Sequence, residues 1–290
     1  MFEVFPLLTL RVTNDRKAQL QKAQASVYWT DFSDARRQAS AISTPQMLNS
    51  RLHMADIGDA ATLSNLRVKM ETSLHRQLKQ LYAHGDAQVE VPVGRFRIDV
   101  IAEDELIEIQ HGSLAAIRDK VRKLLRHHRV LVVKPIVQRK QLIKQESKGG
   151  KILSRRRSPK AGTLLDLFDE LVYFSRVFPH KNLSLEVALV DIEEWRYPGH
   201  GRRRRHRKLD HQVEDQRLVE LHRVHRFQTP CDLWELIPGK LPSPFHTAQL
   251  AEATGVSRWQ AQRIAYCLRK TGAAKQVGKS GNSLLYQRVA

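Results

Sequence analysis

The run Val130-Leu-Val-Val133 carries no polar side chain and ends at Lys134-Pro135. A strand without polar–apolar alternation has no face to offer water, so it belongs inside a sheet covered on both sides. The cover has to be helical, and the flanking sequence supplies amphipathic helices. Ser113 can cap one, with Leu114, Ile117, Val121, Leu124 and Leu125 on its buried face. Thr163 starts another through Phe178, with Leu164, Leu165, Phe168, Leu171 and Val172 inward. An earlier stripe, Leu66, Met70, Leu74, Leu78 and Leu81, predicts a helix ending near Gly85.

Between the first and second helices lie three short strand patterns. They are Gln88–Val93, Arg95–Ile101 after the Gly94 turn, and Glu105–Gln110. Their links are short, which predicts an antiparallel meander. Leu183–Val190 is a further strand. The expected order is αβββαβαβ, a mixed α/β sheet spanning residues 63–195, with a basic insertion at 138–162. Residues 1–62 show no sustained period and read as a poorly ordered extension, and Met54 or Met70 could be the true start. Residues 196–228 read as an Arg/His-rich linker, helical over about 209–224, and 229–290 as a compact helical unit closed by a hairpin.

The chain of 290 residues has 49 Lys and Arg against 30 Asp and Glu, a formal charge of +19. Hydrophobic residues make up 41%, which is too many for a wholly disordered chain. No apolar stretch reaches membrane-spanning length, and the apolar start lacks a basic leader region. The two cysteines, Cys231 and Cys267, cannot build a disulfide framework or a four-cysteine zinc site, so a cytoplasmic location is expected. A polyanion is the expected partner, and DNA is the expected polyanion.

The charge is uneven. Residues 118–160 contain 16 Lys or Arg and two acids. Arg118, Lys120, Arg122 and Lys123 lie off the apolar stripe of their helix, and Arg155, Arg156 and Arg157 follow in the basic insertion. They are candidate phosphate contacts. Just before them, two acids interrupt apolar strand runs. Asp99 stands between Ile98 and Val100, and Glu108 between Ile107 and Ile109, with Gln110 on the face of Glu108. If the two strands pair, the carboxylates lie side by side, an oxygen cluster suited to Mg2+ or Mn2+.

This order of elements, with Asp99 followed by Glu108-Ile-Gln110, resembles the PD-(D/E)xK nuclease superfamily. The resemblance covers about residues 66–192 and rests on a short motif. It implies metal-dependent hydrolysis of DNA phosphodiesters, with Asp99 and Glu108 as metal ligands and Glu71 on the first helix completing the site. His75, one turn further on, reads as an ordinary helix residue. The family's lysine is replaced by Gln110, which cannot supply positive charge. A lysine on a neighbouring element would then be needed, and Lys120, Lys123 and Lys134 are the candidates, Lys134 first. The alternative is a catalytically inactive nuclease-derived DNA-binding or adaptor protein. A homodimer is compatible with either.

His222-x-x-His225 with Cys231 fits no strong zinc spacing. In the C-terminal unit, Thr247 can cap a helix closed by Gly255, and Ser257 opens a second through about Lys270. Lys275–Val277 and Ser283–Tyr286 flank Gly278–Asn282, and the whole resembles a winged helix. That implies DNA contact through Arg258, Gln262 and Arg263, beside Ser257 and Gln260, with Lys279 on the wing.

Overall fold

The computed structural model describes residues 71–199 and 211–289. The extension 1–62, both alternative starts, Leu66 and Met70 of the first stripe, and the basic run Arg202–Lys208 lie outside the described residues. In chain order, α1 (Ser73–Tyr82) precedes β1 (Gln88–Val93), β2 (Phe96–Ala102) and β3 (Glu105–Ile109). A short turn at Leu114–Ala116 leads into α2 (Arg118–Leu124), then β4 (Arg129–Gln145) and β5 (Ile152–Arg157). Another at Leu164–Asp166 leads into α3 (Leu167–Phe174), followed by β6 (Leu183–Pro198) and β7 (His211–Phe227). The protein is therefore mixed α/β, as expected.

One sheet runs β1-β2-β3-β4-β6-β7, with β5 paired to the far end of β4. The meander β1-β2-β3 is antiparallel, while β3–β4 and β4–β6 are parallel. The central strand behaves as its composition demands. Leu131 and Val133 pack under α1 with Leu74, Leu78 and Tyr82. Val130 and Val132 pack on the other face with side chains of α2 and α3, Val121, Leu124, Phe168 and Leu171 among them. Each fully buried side chain of this kind contributes about 1.5–3 kcal/mol.

The basic insertion forms a hairpin: β4 continues to Gln145, reverses, and returns as β5, with Gln141 opposite Arg157. One expectation needs correction. Residues 211–227 are a strand, not a helix. The reason lies in the register. Ile192, Val190 and Ala188 of β6 face Leu218, Leu221 and Val224 of β7. The apolar residues advance by two on β6 and by three on β7, because extra residues bulge out of β7. A spacing of three imitates a helical stripe, and pairing overrides it.

The C-terminal unit comprises a turn at Pro230–Leu236, β8 (Phe245–His246), α4 (Thr247–Thr254), α5 (Arg258–Thr271), β9 (Ala274–Ser280) and β10 (Ser283–Arg288). Its sheet has the order β8-β10-β9. His246 rather than Thr247 caps α4, its Nδ1 accepting from Ala248 and Gln249, and Gly255 ends the helix in the left-handed region at φ 67°. The unit is not a loose appendage. Cys267 of α5 donates to the Phe168 carbonyl (3.3 Å), and Leu250, Ile264 and Leu268 join the core around Phe168. No helix among the described residues is long and apolar enough to cross a membrane.

Helix α1 is fastened to β7 by polar groups. Asp215 accepts from the Ser73 amide (2.9 Å) and hydroxyl (2.7 Å), and Gln77 Oε1 accepts from the Leu218 amide (2.8 Å). The Asp215→Ala variant should lose about 1 kcal/mol of stability through the freed helix N-terminus. Urea denaturation checks this, with the midpoint falling and the slope unchanged.

Candidate active site

Three elements meet at Asp99. Its Oδ2 accepts from the Ile109 amide of β3 (2.8 Å), and its Oδ1 lies 3.2 Å from His75 Nε2 of α1. Burial alone would raise the Asp99 pKa, but His75, the Ile109 amide and Lys120 outweigh it and hold the carboxyl below its ordinary value. Glu108, on the next strand, is 4% exposed. Its Oε1 lies 2.5 Å from Lys120 Nζ, and the same ammonium donates to the Arg97 carbonyl. Burial, reinforced by the Asp99 charge, pushes Glu108 up to about 7 despite Lys120. The pair is thus split: one carboxylate stays ionised while its neighbour titrates near neutrality. Such a split is what acid–base chemistry at a shared site requires.

A second tier of charge surrounds this pair. Lys79 of α1 is almost fully buried, yet its ammonium lies 2.6 Å from Glu71 Oε1 and is also paired with Glu90. Burial would lower its pKa, but the two glutamates reverse the direction and raise it. Glu90 also meets Arg97. It sits at φ 59°, where β1 skips a partner between the Val89–Val100 and Val91–Ile98 pairs. A side-chain-bearing residue rarely adopts that conformation, and here it accompanies the double ion pair.

The structure places the expected residues unequally. Glu71 precedes α1, whose N-cap is Thr72, so it is not on the helix; it reaches the acids only through His75 (3.6 Å). Gln110 turns away, its amide donating to the Ser113 carbonyl (3.0 Å). Lys134 is not beside Asp99 or Glu108. Glu108 pairs with Val132 across the β3–β4 ladder, so Lys134 lies beyond the end of β3. Its ammonium holds the carbonyls of His111 (3.0 Å) and Gly112 (2.5 Å) and pairs with Glu170 (3.2 Å). The amine that reaches the acids is Lys120. His75, Lys79 and Glu90 join the site without a motif to mark them. The polar series Glu71, His75, Lys79, each four residues on, is the available signal.

Among the expected DNA contacts, Arg118 and Arg122 share Asp119 on the outer face of α2 (3.3 and 3.2 Å), and Lys123 is exposed. Arg155, Arg156 and Arg157 all lie exposed on β5. Arg258, Gln262 and Lys279 are exposed, whereas Arg263 is taken up by Asp169 (2.9 Å) and lies over the Trp259 ring. Arg263 therefore binds α5 to α3. Ser257 and Gln260 cap each other.

Glu108 makes stability depend on pH. Its folded pKa exceeds the unfolded 4.5, so its ionisation costs stability as pH rises from about 4.5 through 7. The Glu108→Gln variant should match wild type near pH 4.5 and be up to about 3 kcal/mol more stable at pH 8, one pKa unit being worth about 1.4 kcal/mol. Thermal or urea denaturation at the two pH values measures this.

The site lies within a recurring sequence unit. A protein of Treponema pallidum (strain Nichols), described as uncharacterized, is 30% identical over 220 residues, covering 75% of this chain and 85% of that protein. No solved structure matches. The model of a family described as a domain of unknown function matches residues 72–228, more than half of the chain and the whole of the Asp99–Glu108 site. The chain belongs to that family, DUF8091.

Proposed function

We propose that this protein is a metal-dependent nuclease that hydrolyses DNA phosphodiester bonds. The observation that carries the reading is the meeting of Asp99, Glu108 and Lys120 where β2, β3 and α2 join. The order helix, antiparallel meander, helix, parallel strand supports a PD-(D/E)xK-like core. Lys120 supplies from α2 the positive charge that Gln110 cannot. Two carboxylates are available to a hard divalent cation: that of Asp99, its pKa held low, and that of Glu108, whose buried Oε1 has no well-aligned hydrogen bond and is approached by the Lys120 ammonium. Asp99 and Glu108 would hold Mg2+ or Mn2+, which offsets charge on a phosphodiester and acidifies a bound water.

The chain's own groups then divide the work. Without a cation Glu108 titrates near 7, so a proton and the cation would compete for its carboxylate. Lys120 faces the developing charge. His75, fixed between Glu71 and Asp99, orients the Asp99 carboxylate. Arg118, Arg122 and Lys123 on α2 and Arg155–Arg157 on β5 offer phosphate contacts. The C-terminal unit, two helices and a hairpin in the order of a winged helix, offers Arg258, Gln262 and Lys279 to DNA.

A second reading has its own observation. Each acid of the site already has a basic side chain beside it, Lys79 for Glu71 and Glu90, Lys120 for Glu108, His75 for Asp99. A core closed in this way suits a DNA-binding protein that no longer cuts.

Single-stranded, duplex and branched DNA incubated with Mg2+ or Mn2+ separates the two. Cleavage is expected, lost at least about 100-fold in Asp99→Ala and in Lys120→Met and little changed in Gln110→Ala. Salt-sensitive DNA binding without cleavage by wild type would select the second reading.

A further inference from the structure

A second cluster of ligating side chains lies on another part of the sheet. Asp191 is on β6, and Glu220 and His222 are on β7. Among the described residues, this is the group of three whose ligand atoms all fall within 4.8 Å of one another. His222 Nε2 lies 3.0 Å from Asp191 Oδ1, and its Nδ1 lies 3.2 Å from Glu220 Oε1. Val190 and Ile192, on either side of Asp191, pack under α1, so strand alternation turns Asp191 to the opposite face. The cluster is thus separated by the sheet from helix α1 and His75.

Two independent features point to a ligand here. First, Asp191 is 9% exposed, and both Asp191 Oδ1 and His222 Nε2 are buried atoms with no hydrogen-bond partner. They face each other off the hydrogen-bond line, although burying unpaired polar atoms is costly. Their 3.0 Å separation is instead that of neighbouring ligands at about 2.0–2.1 Å from one ion. Second, the β6–β7 register shifts on both sides of Asp191, at Leu189/Val190 and at Asp191/Ile192. The first shift skips His222, which falls between the partners of Leu189 and Val190. Bulges re-aim side chains, and this one accompanies the approach of His222 to Asp191. Glu220 Oε1, 3.2 Å from the other ring nitrogen, stands where the carboxylate of a carboxylate–histidine–metal arrangement stands, the arrangement that fixes the tautomer of a ligating imidazole. Arg139, 3.9 Å from Asp191 Oδ2, occupies the outer oxygen of the carboxylate.

We propose that Asp191 and His222, with Glu220 behind the imidazole, bind a divalent transition metal such as Zn2+, which clamps β6 to β7 where bulges interrupt their ladder. An imidazole nitrogen beside a carboxylate oxygen favours Zn2+ over Mg2+. The set draws on Asp191 across the sheet, not on His225 and Cys231. It owes nothing to the nuclease reading, and the test keeps the two apart.

The experiment titrates Zn2+ into the full chain by calorimetry and follows the melting temperature. The Asp99→Asn/Glu108→Gln double variant should still bind Zn2+ at this site with micromolar affinity, as wild type does, and melt higher with it, and millimolar Mg2+ should not displace it. Asp191→Asn and His222→Gln should lose that site, at least tenfold in affinity. Glu220→Gln should weaken it about tenfold through the misplaced tautomer. Unchanged binding in Asp191→Asn or His222→Gln, or no binding by wild type, overturns the proposal, as does loss confined to the Asp99/Glu108 variant. Should a β6 or β7 variant fail to fold, Co2+ in the Asp99→Asn/Glu108→Gln double variant decides: absorption of a nitrogen-ligated ion supports the site, and its absence rejects it.

Discussion

The parallel pairing of β4 with β6 organises everything else. The two strands stay in register from Val130 opposite Leu183 to Lys144 opposite Arg196, with one shift near Arg139. Both are buried on two faces over their first halves, so each demands cover above and below. Helix α1 answers on one side, and α2, α3 and the C-terminal unit on the other. The meander β1-β2-β3 adds to the free edge of β4, and this places the β2–β3 carboxylates beside α1 and α2. The acids are therefore located by hydrophobic demand two strands away.

What the acids do follows from unequal solvation. Asp99 is served by an amide and an imidazole, so its charge is supported. Glu108 is buried deeper with one ammonium, so its charge is not fully supported, and its pKa climbs to about 7. Lys79 shows the same rule in reverse: two glutamates sustain a cation that burial would otherwise neutralise. Positive and negative groups stand side by side through the site, Lys79 between Glu71 and Glu90 and Lys120 against Glu108.

Much of this is legible in the chain. Apolar runs mark β4, alternation marks the meander, and acids within apolar strands mark Asp99 and Glu108. The failures have physical causes. β7 is hidden because its bulges stretch the apolar spacing from two to three. Lys134 resembles the missing amine because it ends a buried strand and needs a partner, but its partners are loop carbonyls and Glu170. Lys120 sits among many basic residues of an outer helix face, and only the fold shows which one turns inward. Lys79 and Glu90 carry no motif, since the fold alone brings the two side chains together.

The core around Phe168 has a consequence for the family itself. The recurring unit ends at residue 228, yet Phe227, Leu233, Trp234, Ile264 and Leu268 belong to one apolar cluster with α3. The boundary drawn by recurrence of sequence is thus not a boundary of folding. A chain ending at 228 would uncover the side of α3 that meets α5 at Asp169 and the Phe168 carbonyl. Any member lacking the C-terminal unit must cover that face with something else, and what it uses would show how freely the two halves have been exchanged.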